Sequence, residues 1–175
     1  MSQRPVARHG DACASCSAST TRRQALGHMS ATLVAAMVGA ELWPRTATAV
    51  PITDGGGTKT GPNEYSYPLP PADVVTIDRD AQLILVRFQQ RVYVFNLACP
   101  HENTALRWKP RDGRFQCPRH ESQYQPDGTF MSGRATRNMD RFGITRAGDA
   151  VRVDLNRFYR SDQQPQDWAA AVIEV

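Results

Sequence analysis

Residues 99–120 read C-P-H-E-N-T-A-L-R-W-K-P-R-D-G-R-F-Q-C-P-R-H. Two donor pairs frame the stretch, Cys99-x-His101 and Cys117-x-x-His120, with fifteen residues (102–116) between them. The chain holds four Cys and four His, and from residue 50 onward all of them belong to these two pairs. Each pair offers one soft thiolate and one borderline imidazole, a donor set that suits zinc or an iron–sulfur centre and not calcium or magnesium. A structural zinc site of two Cys and two His needs the same donors in a tetrahedron. Common zinc spacings, however, pair Cys with Cys and His with His. Mixed pairs are what a two-iron cluster needs when one iron takes both thiolates and the other both imidazoles. The cluster is therefore the expectation, and a structural zinc-binding module is the alternative.

The strands around this stretch are short and separated by turn residues. Val74, Val75 and Ile77 open one, residues 83–88 (L-I-L-V-R-F) form a second, and 91–97 (R-V-Y-V-F-N-L) a third. In the third, Val92, Val94 and Asn96 alternate against Tyr93, Phe95 and Leu97, the period of a strand with two distinct faces. Gln89-Gln90 is the turn between the second and third. Residues 107–109 and 114–116 flank Pro-Arg-Asp-Gly, and 122–125 and 129–131 flank Pro-Asp-Gly, both strong turn signatures. Residues 139–146 and 150–155 make a last hairpin over Ala-Gly-Asp, and only 167–173 reads as helical. The expectation is an all-β domain over 73–160, its cluster-binding part near 97–134, then a tail (161–175) with a short helix. Both ligand pairs fall in loops after strands. Trp108, inside the small hairpin between them, is expected to be a core plug.

The N-terminal 49 residues read as an address. Arg22-Arg23 precedes an apolar run at 31–40 and an A-x-A site at 47–49, the parts of a signal peptide cleaved after Ala49. The paired arginines resemble a twin-arginine (Tat) signal, although Ala25 and Gly27 replace the consensus Phe and Lys. The uncharged run 24–40 sits at the lower limit for crossing a bilayer, so a retained anchor is the alternative. Cys13 and Cys16 form a C-x-x-C ahead of the arginines and are read as incidental there. Residues 50–72, rich in Gly and Pro without an apolar period, are expected to be a linker or a loosely packed lead-in. The formal charge is +4, but the first 49 residues hold five Arg against Asp11 and Glu41, leaving 16 basic and 15 acidic residues beyond. No basic stripe with interleaved aromatics is present in the sequence, so nucleic acid is not an expected partner.

With C-x-H, fifteen residues and C-x-x-H, residues 73–155 resemble a Rieske [2Fe–2S] protein. The resemblance implies stacked antiparallel sheets with a small inserted cluster-binding subdomain. It makes Cys99 and Cys117 the ligands of the inner iron, and His101 and His120 those of the outer iron. Ser122 corresponds to the family serine that hydrogen-bonds a bridging sulfide, and Tyr124 to the tyrosine that hydrogen-bonds a cysteine sulfur. Both mark the high-potential branch of cytochrome bc complexes and arsenite oxidase small subunits, as does the segment 132–139, similar to the loop that covers the cluster. Two family cysteines that brace the ligand loops are replaced by Thr104 and Arg119, and the Gly after the second His by Glu121. Rigidity must therefore come from packing and hydrogen bonds.

Charge counting explains the chemistry that the resemblance implies. Two ferric ions, two sulfides and two thiolates sum to zero with neutral imidazoles, whereas a four-thiolate cluster starts at −2. Reduction is therefore easier, lifting the potential from about −400 mV to roughly −150 to +300 mV. Hydrogen bonds from Ser122 and Tyr124 push the value to the positive side. Oxidation favours proton loss from the ligand imidazoles, so the midpoint is expected to fall as pH rises.

The function implied is single-electron transfer by an exported, periplasmic subunit or carrier. Its partners would be a c-type cytochrome or other redox protein, with a quinol-oxidising membrane complex or a molybdenum oxidase large subunit as donor. A Rieske ferredoxin feeding a ring-hydroxylating oxygenase is the alternative. The chain offers no nucleophile–base pair that would make it catalytic by itself.

Overall fold

The computed structural model describes residues 49–175. The arginine pair, the run 31–40 and the C-x-x-C of Cys13 and Cys16 lie outside the described residues. Among the described residues there are thirteen strands and one short helix, in agreement with the all-β expectation. Eight strands of a nine-stranded sheet run in the order β1 (Ile52–Asp54), β4 (Val74–Asp78), β5 (Leu83–Phe88), β6 (Arg91–Asn96), β11 (Arg141–Ala147), β12 (Ala150–Tyr159), β3 (Glu64–Pro68), β2 (Thr58–Gly61), and the ninth, β13 (Ile173–Glu174), pairs with β6 off this path. A four-stranded sheet, β10 (Phe130–Ser132), β9 (Gln123–Tyr124), β8 (Arg114–Gln116), β7 (Arg107–Lys109), is the inserted subdomain. The strands pair antiparallel except β1 with β4, which is parallel.

The β5–β6 hairpin organises both faces. Its register runs from Leu83↔Asn96 to Phe88↔Arg91, closed by Gln89 and Gln90 at φ 49° and 61°. Two successive left-handed residues give the turn whose twist matches that of paired strands. The alternation in the sequence then separates two cores. Leu83, Leu85, Val92 and Val94 pack with Tyr67, Val151, Val153 and Ile173. Ile84, Val86, Tyr93, Phe95 and Leu97 pack on the other side with Cys99, Leu106, Trp108, Phe115, Cys117, Tyr124 and Met139. The central hairpin is thus buried on both faces, and its second face is the floor of the site. Trp108 is packing, as expected: it lies 4.7 Å from the Phe115 ring.

Residues 50–72 correct the expectation of a linker. They form β1, β2 and β3, with β3 paired to β12 over Ala150↔Pro68 to Asp154↔Glu64. Two anchors hold the segment down. Val50 is buried and its carbonyl accepts the Trp108 indole N–H at 2.9 Å. Tyr67 is buried and donates to Asp78 Oδ2 at 2.7 Å, while Asp78 also accepts from the amides of Gly57, Asp80 and Ala81. Gly and Pro frequency concealed these anchors because their partners lie far along the chain.

The C-terminal segment is likewise more than a tail. The helix α1 spans Pro165–Ala170, with proline in its first turn, where the missing N–H is not needed. It is followed by β13 (Ile173–Glu174), which pairs with β6 through Ile173↔Val92.

Candidate metal centre

Two loops carry the donor pairs, one between β6 and β7 and the other between β8 and β9, and their backbones repeat one pattern. In the first, Cys99 N donates to Thr104 O (2.8 Å) and Asn103 N donates to Cys99 O (2.9 Å). In the second, Cys117 N donates to Ser122 O (2.8 Å) and Glu121 N donates to Cys117 O (3.0 Å). The fourth residue after each cysteine is left-handed: φ is 56° at Asn103 and 55° at Glu121. That conformation explains why glycine is the expected residue after the second histidine, and Glu121 holds it at a steric cost.

These turns set Cys117 against Cys99 and bring the rings of His101 and His120 together. Cys99 and Cys117 are free thiols with 0% and 1% exposure, on the floor of the site. In the same two loops, His101 Nδ1 and His120 Nδ1 lie 3.2 Å apart, with rings at 85° and centroids 4.8 Å apart. Two imidazole nitrogens bonded to one tetrahedral ion at about 2.0–2.1 Å would sit about 3.4 Å apart. The spacing therefore fits one metal held by both Nδ1 atoms. Burial pushes the Cys99 thiol up, with the hydrogen bonds of Tyr124 and of the His101 amide acting in the opposite sense. Metal coordination deprotonates such a thiol outright. Buried sulfur below and partly exposed nitrogen above is the asymmetry that a cluster with two unlike irons requires.

Ser122 and Tyr124 stand in the wall, both with 0% exposure. Tyr124 Oη is 3.4 Å from Cys99 Sγ. Burial, then the Cys99 sulfur, pushes its phenol well above the usual range, so it is a donor at any physiological pH. Ser122 Oγ accepts the Ala135 amide at 3.0 Å, which leaves the hydroxyl proton to be given elsewhere. That amide belongs to residues 125–139, which hold β10 and the segment 132–139 similar to the family's covering loop and are called the covering loop below. Gly133, at φ 110°, is where the loop touches the second ligand loop. A Cβ there would stand 2.4 Å from Ser122 Cα, so only glycine permits this closure.

Glu102 is a neighbour that the sequence reading passed over. Its carboxylate lies 3.5 Å from His120 Nδ1, 4.0 Å from His101 Nε2 and 3.6 Å from Arg119 Nη1. It leans from the first ligand loop onto the second, across the gap that the family's disulfide would close. The signal was present, an acid directly after a ligand histidine, but its reach across the loops was not.

A sequence profile of the Rieske [2Fe-2S] domain matches residues 64–145. The chain belongs to the Rieske [2Fe-2S] family. The cofactor of this Rieske chain is accordingly a [2Fe–2S] cluster, and its chemistry is electron transfer. It is 26% identical to the cytochrome b6-f complex iron-sulfur subunit 2 of Trichormus variabilis over 135 residues, covering 68% of this chain and 76% of that one. The cytochrome b6-f complex iron-sulfur subunit of a Synechococcus species is 35% identical over 60 residues, 34% of this chain and 35% of that one. Among solved structures, the cyanobacterial plasma membrane Rieske protein PetC3 from Synechocystis PCC 6803 matches with a TM-score of 0.37 and 21% identity, over 53% of this chain and 86% of that one.

Proposed function

We propose that Cys99 and Cys117 hold the inner iron and His101 and His120 the outer iron of the cluster, in an exported electron carrier or subunit. The observation that carries this reading is the 3.2 Å approach of the two Nδ1 atoms in the same two loops that hold two buried free thiols. When bound, the cluster supplies one-electron redox chemistry at a potential above that of four-thiolate centres. The protein's part is to hold it between a dry floor and a wet roof. Tyr124 donates to the Cys99 sulfur, which favours the more negative, reduced charge, and Ser122 is assigned the family role of donor to a bridging sulfide, with the same effect. The covering loop, locked by Gly133 and Ala135, keeps water from the sulfurs. The partly exposed imidazole edges are where an electron leaves or enters.

We place the chain in a quinol-to-cytochrome c or other periplasmic oxidoreductase sequence, with a c-type cytochrome as acceptor. The donor would be a quinol-oxidising membrane complex or a molybdenum oxidase. Support comes from the Ser122–Tyr124 pair and from relatives that are subunits of cytochrome b6-f complexes. Export through a Tat-type leader, removed after Ala49, rests on the arginine pair and the A-x-A site of the sequence. Among the described residues no helix is long and apolar enough to cross a membrane.

Potentiometric titration of the purified holoprotein, followed by visible absorption and spin resonance, tests this function. The expected result is a single one-electron wave with a positive midpoint at neutral pH. A clearly negative midpoint would contradict the roles given to Ser122 and Tyr124, and zinc in place of iron would end the ligand assignment.

A further inference from the structure

Arg141 is 4% exposed, and no carboxylate pairs with it among the described residues. Its guanidinium is 3.6 Å from the Trp168 ring centroid, 4.7 Å from Tyr93 and 5.7 Å from Phe95. Nη1 donates to Trp168 O at 2.8 Å and Nη2 to Asp127 O at 2.7 Å, while Nε is buried without a partner. Nearby acids are otherwise engaged: Asp127 Oδ1 accepts from Thr129 N, and Asp140 is paired with Arg137. Burial pulls Arg141 down to about 10, which still leaves it charged at neutral pH.

The cation closes the base of the covering loop. Asp127, which it holds, precedes Gly128, and a Cβ at Gly128 would stand 2.4 Å from the Phe95 ring. Gly128 O in turn accepts from Met139 N at 2.9 Å. Met139 O accepts the Trp168 indole N–H at 2.7 Å. Both ends of the loop are therefore tied to two side chains that cover each other, one on β11 and one on α1.

The same cation faces the core that contains the thiols. Arg141 pairs in register with Phe95 on β6, and Cys99 lies three residues beyond the end of that strand, at most about 14 Å of chain from Phe95. Tyr93 and Phe95, on which it lies, share that core with Cys99 and Cys117. At an effective dielectric near 20, a unit charge on the order of 12–15 Å from a one-electron centre would shift its reduction equilibrium by about five- to tenfold.

We infer that Arg141, kept dry by Trp168 of the C-terminal segment, is a positioning residue for the cluster that fastens the covering loop and favours reduction through its buried positive charge. The inference rests on the ligand assignment proposed above. It gives the last fifteen residues a role in setting the potential, not only in stability.

The test compares full-chain holoproteins whose iron content and spin-resonance signal first establish that the cluster is present. A wild-type protein without that signal counts against the ligand assignment, not against Arg141. Arg141→Met should make reduction about five- to tenfold less favourable, a fall of about 40–60 mV, while Arg141→Lys stays within about twofold of wild type. Trp168→Ala, which admits water to the guanidinium, should lower the midpoint part of the way and speed amide exchange at Met139. An Arg141→Met holoprotein with the wild-type midpoint would overturn the inference. Should that variant fail to fold, a Trp168→Ala holoprotein with unchanged midpoint and unchanged exchange at Met139 would do so.

Discussion

The Tyr124 hydroxyl stands 3.4 Å from the Cys99 sulfur, and both residues are completely buried. No water competes for that hydrogen bond, so its strength depends only on how negative the sulfur is. Reduction makes it more negative. Tyr124→Phe should therefore lower the midpoint by about 60 mV, equivalent to about 1.4 kcal/mol for one electron. The variant should keep its iron, since the ring and its packing remain. Potentiometry of the purified variant checks this, and an unchanged midpoint would remove Tyr124 from the tuning of the site.

Glu102 presents the opposite charge to the same centre. Its carboxylate is shared among His101, His120 and Arg119 at 3.5–4.0 Å. A negative group beside the ligand imidazoles disfavours adding an electron. Glu102→Gln should raise the midpoint by an amount on the order of tens of millivolts, and the difference from wild type should shrink as salt is added. Arg119→Ala should move it downward. Titrations at two ionic strengths give both answers.

Gly133→Ala should open the covering loop. The added methyl collides with Ser122 Cα at 2.4 Å and stands at φ 110°, a combination of overpacking and backbone strain worth about 3 kcal/mol or more. The expected phenotype is loss of iron during purification together with a lowered Tm. Glu121→Gly should act in the other direction, since it relieves a left-handed residue at φ 55°. A gain of about 0.5–1 kcal/mol is expected in urea unfolding.

Asp78 ties the first strands to the domain. Burial pushes its carboxyl up, but hydrogen bonds from Ala81, Tyr67, Gly57 and Asp80 outweigh this and hold it below its ordinary value of 3.8. A carboxylate lowered in the folded state contributes stability that is present above the ordinary value and lost as pH falls through the folded one. Asp78→Asn should cost about 2–3 kcal/mol at pH 7, with the gap from wild type narrowing below about pH 4. Urea midpoints from pH 3 to 7 measure it, and a gap constant across that range would show that Asp78 contributes by shape alone.

Much of this was legible before any coordinates, for reasons that differ by element. Strand 83–88 could be read because β5 lies inside one domain with turn residues at each end. The alternation in 91–97 correctly separated Val92 and Val94 from Tyr93 and Phe95, because each set faces its own core. The four proposed ligands could be singled out by donor chemistry, since every Cys and His beyond residue 50 lies in the two pairs. What stayed hidden depends on distant partners. Tyr67 is fixed by Asp78, Val50 by Trp108, and Arg141 by Trp168. No local period reports such contacts, so the segment 50–72 passed for a linker and the C-terminal segment for a tail.

The most direct measurement is pulsed spin resonance of the reduced holoprotein, made with and without nitrogen-15 histidine. If His101 and His120 share one iron through Nδ1, the spectrum shows two strongly coupled histidine nitrogens, and both couplings change with the label. Either substitution, His101→Ala or His120→Ala, should abolish the parent signal. A reduced cluster with one coupled nitrogen or none, or a protein that contains zinc and no iron, would contradict the assignment on which the rest depends.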